Sequence, residues 1–240
     1  MRLTMMRFSR LLRTRKTQKG QAILEFSLIA FSLALMFAGA FTVGAMLNKA
    51  LQVSNITRSA AVLMVTAVTD PKADLNLVLL QNQRILIREA SGLGMALNAQ
   101  YDPSPTGKGA IFLSKVILVG DNECAAGVNP IPTGVPPWTT ATCANYNTYV
   151  IAYYVAIGNN TRWASAIGTP PSGDIQSDGS VSAVNIATDT RVQIPTTTIS
   201  PIITLAQGKY ALISEAYADV GSVAVFGVYR PPVIYYRTIT

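Results

Sequence analysis

Between Phe26 and Asn48 the chain places 23 residues without one charged side chain, and no other feature restricts its possible folds as much. As an α-helix such a run is about 34 Å long, enough to cross a hydrocarbon core of about 30 Å. Ahead of it stand Arg2, Arg7, Arg10, Arg13, Arg15, Lys16 and Lys19 with no Asp or Glu, whereas the first 20 residues after it hold only Lys49 and Arg58. The positive-inside bias then predicts a single-pass arrangement in the inner (cytoplasmic) membrane. The N-terminus lies in the cytoplasm and everything after Asn48 is exported.

Glu25 breaks the apolar pattern where the run begins. Insertion scales put an Asp at mid-membrane at about 2.5 to 3.5 kcal/mol, and less near an interface, so a carboxylate here needs a partner. Cleavage between Gly20 and Gln21 would create one. The new α-amino group of Gln21 is a cation, and Glu25, four residues on, would pair with it or with that of a neighbouring subunit.

The basic leader ending in Lys19-Gly20, the glycine at the cut, Glu25 at the fifth position of the shortened chain and Phe26 beside it resemble a type IV prepilin signal. The Glu-Phe pair, with the later Ala50-Leu51-Gln52 and Arg58-Ser59-Ala60-Ala61, is more similar to the TadE/TadF-like pseudopilins of the tight-adherence (Tad) system than to a major pilin. Tyr210 to Tyr217 also resembles the strand near the end of that family, although the likeness is concentrated in roughly the first 65 residues. The resemblance implies cleavage by a membrane prepilin peptidase that reads Gly20. It also implies partners: other pilin or pseudopilin subunits and an inner-membrane assembly platform. A large head beside a short major pilin suggests a minor, tip or initiating position.

Two other readings share the same residues. An ordinary secretory signal peptide would use Phe26 to Phe37 as its apolar region and Ala38-Gly39-Ala40 as its cleavage site. Against it, the apolar run continues through Phe41, Val43, Met46 and Leu47. An uncleaved membrane anchor is the third reading.

Charge distribution treats the leader as a separate piece. The chain has 19 Lys and Arg against 12 Asp and Glu, and the leader holds seven of the basic residues and no acidic one, leaving 12 of each. No basic patch with interleaved aromatics occurs outside the leader, so nucleic acid is not an expected partner. Membrane lipid is.

Cys124 and Cys143 lie on the exported side, where thiols meet an oxidising compartment, and are expected to form a disulfide across a Pro- and Gly-rich loop. The chain contains no histidine, which removes the commonest general base and the commonest metal ligand together. Neither a nucleophilic triad, a P-loop nor a dinucleotide fingerprint is present, so no catalytic residue, metal or cofactor is expected. Asp174 to Gly179 matches the first part of a calcium loop, but its twelfth position is Asn185, where a bidentate Glu belongs. A turn explains it better.

Within the apolar run Ala30, Ala34 and Ala38 recur every fourth residue, as do Ala40 and Gly44 with Asn48, a spacing that lets helices approach closely in lipid. Helical spacing of Met46, Ala50, Val53, Ala60, Met64 and Ala67 extends the first helix well past the membrane, until Asp70-Pro71. A second helix is predicted from about 72 to 97. Beyond Tyr101 β-branched and aromatic residues take over, with strands expected at Ala110 to Val119, Thr148 to Ile157, Val181 to Ala187, Arg191 to Ile194, Tyr210 to Tyr217 and Val223 to Tyr229, no convincing helix, and a long exposed loop from Gly158 to Gly179.

The expected architecture is α+β: a long N-terminal transmembrane helix extended by a second helix, then a mainly antiparallel β head. Residues 1–20 are the leader, 21–48 the transmembrane helix, 49–100 an exported helical stalk and 101–240 the head. The expected function is structural, without enzymatic activity: a minor pilin or pseudopilin of a type IV or Tad pilus system, with Gly20 and Gln21 at the scissile bond, Glu25 and Phe26 in assembly and Ala30, Ala34 and Ala38 in helix packing. The alternative is an anchored or secreted adhesin whose exposed loops, Pro130 to Pro137 and Asn159 to Gly179, make the contacts. A secreted hydrolase using Asp or Glu pairs is the third possibility.

Overall fold

A computed structural model describes residues 5–69, 108–128, 138–219 and 233–240. The predicted helix at 72–97, the predicted strand Val223 to Tyr229 and the Pro-rich segment 129–137 lie outside these residues. Helix α1 spans Met5–Thr69. The fold is α+β, with a four-stranded antiparallel sheet following the long apolar helix. Two compact units divide the chain. One takes in residues up to Asn48, and the other begins at Lys49 and contains the sheet.

The strands are β1 (Gly109–Leu118), β2 (Tyr149–Gly158), β3 (Tyr210–Asp219) and β4 (Val233–Ile239), in the order β2-β1-β3-β4. β1 and β3 are central and covered on both faces. That is why β1 reads Gly-Ala-Ile-Phe-Leu-Ser-Lys-Val-Ile-Leu, nearly all apolar, where a one-sided strand would alternate. On one face Ile111, Leu113, Val155, Ile157, Leu212 and Ala216 meet the C-terminal part of α1 through Val53, Ile56, Ala60 and Met64. Those four helical positions fall at steps of three and four residues, and Ala60 lets the helix lie close to the strands. Residues from Lys49 therefore belong to the same compact unit as the head.

The opposite face carries Ala110, Phe112, Ile151, Tyr154, Ala156 and Ile213, covered by Trp163, Ile167, Ile194 and Ile199. The segment Gly158 to Gly179 is thus not simply an exposed loop. It drives Trp163 and Ile167 into the core. β2 carries a bulge, since Lys115 pairs with Tyr153 and Val116 with Ile151, leaving Ala152 as the extra residue. The Ala152 carbonyl then accepts from the Val181 N–H at 3.0 Å.

A third cluster surrounds the disulfide, where Cys124 and Cys143 are both fully buried among Val119, Trp138, Val150, Ala187 and Val192. Here the strand expectations fail. Val181 makes only an isolated bridge, and the residues after it form helix α3 (Ala183–Thr188). Arg191 to Ile194 forms a 3-10 turn at Thr190–Val192 and a single bridge from Gln193 to Val150. Two more short helices, α2 (Asp121–Gly127) and α4 (Thr196–Ile199), correct the expectation of none. Local side chains decide these segments. Ser182 Oγ accepts from Asn185 N at 3.1 Å and caps α3, while Asp189 Oδ1 accepts from Arg191 N at 2.8 Å. Short polar side chains that satisfy backbone donors compete with a sheet ladder for the same groups. Gly127 is required because a Cβ there would overlap the Ala183 carbonyl and the Ala187 methyl of α3.

Candidate functional site

From Gly20 to Phe41 every residue of α1 is solvent-exposed, whichever side of the helix it occupies. Phe26 is 73% exposed and Phe41 80%, with Ile23, Leu28, Phe31, Met36 and Phe37 all strongly exposed between them. A helix that is apolar all round belongs in a core or a membrane. Among the described residues one helix, near the N-terminus, is long and apolar enough to span a bilayer. Its hydroxyls are provided for without water: Ser27 Oγ donates to Leu24 O at 2.9 Å, Ser32 Oγ to Leu28 O at 2.9 Å and Thr42 Oγ1 to Ala38 O at 2.7 Å. In lipid, where no water can satisfy them, such bonds are what a hydroxyl needs.

The predicted assembly residues sit together at the start of this stretch. Gln21 Nε2 donates to Glu25 Oε1 at 3.2 Å, one helical turn apart, so position 21 is within reach of the carboxylate. Gly20 lies inside α1, and a Cβ added to it, as at Gly39 or Gly44, would meet nothing within 4 Å. Each of these three glycines is less helix-prone than Ala by about 1 kcal/mol. Ala30, Ala34 and Ala38 are all exposed, leaving their row available to another helix.

The cysteines predicted to pair do so, with Cα atoms 5.8 Å apart and a sequence separation of 19. Their bridge joins α2 to the turns after Trp138. Asn145, fully buried in those turns, donates through Nδ2 to Ile186 O at 2.8 Å and Asp189 O at 2.9 Å and accepts from Gln193 Nε2 at 2.7 Å. It serves the carbonyls that the C-terminal end of α3 leaves open.

Sequence reading missed the most concentrated polar group in the sheet unit. Glu215, on β3, is fully buried on the face opposite α1. Its Oε1 accepts from Tyr235 OH at 2.6 Å and faces Arg237 NH2 at 3.2 Å, both on β4, while Oε2 accepts from Ser165 Oγ. Arg237 Nε also donates to Tyr235 OH at 2.7 Å. Burial, and the bond to the Glu215 carboxylate, push the Tyr235 phenol well above its ordinary range, and burial lifts Tyr154 to about 12, so both stay protonated donors at neutral pH. A glutamate inside the otherwise apolar Tyr210 to Tyr217 run is the signal that could have revealed the cluster.

The calcium-like segment is a turn. Asp178 Oδ1 accepts from Ser180 N at 2.9 Å, Gly179 adopts φ +88°, and Asp174 pairs with Arg191 at 3.2 Å. Among the described residues no group of three or more metal-ligating side chains comes together. Arg191 also holds Asp189 at 2.7 Å, and this hydrogen-bonded partner lowers the Asp189 carboxyl from 3.8 to about 2. A depressed folded-state value contributes stability that is present above the unfolded value and lost as pH falls through the folded one. The stability difference between the wild type and Asp189→Asn should therefore shrink between about pH 4 and pH 2, as thermal melts across that range would show. With Arg191 65% exposed, added salt should reduce it as well.

Comparison with protein-family models, with curated proteins and with solved structures found no match to this chain.

Proposed function

We propose that this chain is a structural subunit of a type IV or Tad-like pilus assembly system, a minor pilin or pseudopilin. It would be inserted with its N-terminus in the cytoplasm, cut after Gly20 and held to its neighbours through α1. The observation that carries this reading is the exposure of apolar side chains all round α1 from Gly20 to Phe41, with a single carboxylate at the start of the run. Burying a large apolar side chain is worth about 1.5 to 3 kcal/mol, so a stretch this long must be covered by lipid or by other helices. Lipid alone has no need of Glu25. A neighbouring subunit's freed amine does, and the pair sets the axial position at which two helices meet.

The mechanism is mechanical and involves no bond chemistry by this chain beyond being a substrate of the peptidase. Gly20 and Gln21 present the scissile bond, Phe26 and the Ala30, Ala34 and Ala38 row supply contact, and the folded unit beginning at Lys49 is carried on the exported side. Glu25→Ala tests the reading. Processed protein should remain in the membrane at normal abundance, while cross-linked assemblies recovered from cells fall at least tenfold. Assembly at the wild-type level would contradict it, and would favour a surface protein for which α1 is only an anchor.

A further inference from the structure

The segment after β2 does more than cover the sheet. Between Tyr154 and Ala156 of β2 and the turn at residues 172–177 it encloses an open pocket of about 240 Å³. Ile175 adds to the apolar part of the lining, while Asn160, Ser172 and Gln176 supply neutral hydrogen-bonding groups, and none of the seven lining residues is charged. The nearby charges are engaged elsewhere: Asp174 with Arg191 and Asn185, and Asp178 with Ser180. An anion or cation would find no counter-charge in the lining.

The walls are fixed in advance. Ile175 bridges to Val181, Ser180 bridges to Tyr153, and Tyr154 N donates to Gly179 O at 2.8 Å. Gly179 allows this closeness, because a Cβ there would come within 2.8 Å of Val155 Cγ2 and 3.0 Å of the Tyr153 ring. On the floor, Tyr154 OH is held by Thr169 Oγ1 at 3.2 Å. The Gln176 carboxamide lies 2.8 Å from Ser180 Oγ, whose proton goes to Asp178 Oδ1 at 2.6 Å, and this contact orients the side chain and leaves the other carboxamide atom for a ligand. A preformed site loses little freedom on binding, so modest contacts suffice.

We propose that this pocket binds a neutral sugar unit of a glycan. Such a ligand presents apolar C–H faces and many hydroxyls without net charge, and it matches a lining of aromatic and aliphatic surface edged by two carboxamides and two serines. The inference is independent of the assembly reading, since the pocket lies wholly within the unit that begins at Lys49.

The test uses the full chain in lipid nanodiscs free of glycoside detergents. Methyl glycosides of glucose, galactose, mannose and N-acetylglucosamine are titrated by saturation-transfer NMR, with N-acetylneuraminic acid as the charged comparator. At least one neutral glycoside should bind saturably, with Asn160→Ala and Gln176→Ala each weakening it by about 5- to 10-fold and leaving the melting temperature unchanged. Both positions are exposed, so folding is not at stake. Absence of binding by every neutral glycoside, stronger binding of the acidic sugar, or undiminished binding by both variants would overturn the proposal. Loss of assembly in Glu25→Ala has no bearing on these outcomes.

Discussion

Replacing Glu215 with Ala should destabilise the sheet unit by about 3 kcal/mol, at the lower end of what breaking a buried ion pair costs. The carboxylate is fully buried and takes hydrogen bonds from Ser165 and Tyr235 while facing Arg237, so its removal leaves two hydroxyl donors and a guanidinium without their acceptor. Arg237 is 20% exposed and can recover some hydration, which limits the loss. The reverse change, Arg237→Met, leaves the anion itself unpaired and should be at least as damaging. Glu215→Gln keeps the shape and one acceptor and should cost roughly 1 to 2 kcal/mol. Urea unfolding followed by the fluorescence of Trp138 and Trp163, both buried in this unit, measures all three. A Glu215→Ala protein as stable as the wild type would show that the cluster contributes nothing.

Removing the disulfide by Cys124→Ala with Cys143→Ala should lower stability by a similar amount. The bridge closes a loop with a sequence separation of 19, for which the chain-entropy relation gives roughly 3 kcal/mol. Most of that loss comes through the unfolded chain, so the folded contacts of Val119, Trp138 and Val192 should survive in the variant. Its near-ultraviolet dichroism should match the wild type below the transition, with only the urea midpoint moved. An unchanged midpoint would mean that the loop is ordered by its packing alone.

These two features differ in how far the sequence disclosed them. Two cysteines in a chain with no histidine to make a metal site leave few alternatives to a bridge. Glu215 stood out in its strand but its partners did not, because Tyr235 and Arg237 stand on β4, which was not anticipated, and Ser165 sits in a segment expected to be loop. Strands β1, β2 and β3 were legible within a residue or two because both-face burial makes them continuous apolar runs. The exceptions, Val181 to Ala187 and Arg191 to Ile194, carry strand-like residues whose neighbours Ser182 and Asp189 offer the backbone a closer partner. Asn145 was invisible for a related reason. Its ligands are carbonyls 40 or more positions away, a distance over which no spacing rule operates.

The division at Lys49 also has functional weight. Within α1 the same helical spacing serves two surroundings: Val53, Ile56, Ala60 and Met64 are buried against strands, whereas Phe26, Phe31 and Phe37 have only solvent around them. The first set is accounted for by the protein's own sheet. Nothing among the described residues covers the second, and membrane lipid followed by like helices is what the assembly reading supplies.

The most direct measurement is the intact mass and N-terminal sequence of the protein recovered from the membranes of the cells that make it. Cleavage after Gly20 predicts a chain that begins at Gln21, with the seven basic residues of the leader gone and Glu25 at its fifth position. A chain that begins at Phe41, or one that still carries Met1, would contradict that prediction and with it the pairing of Glu25 with a freed amine.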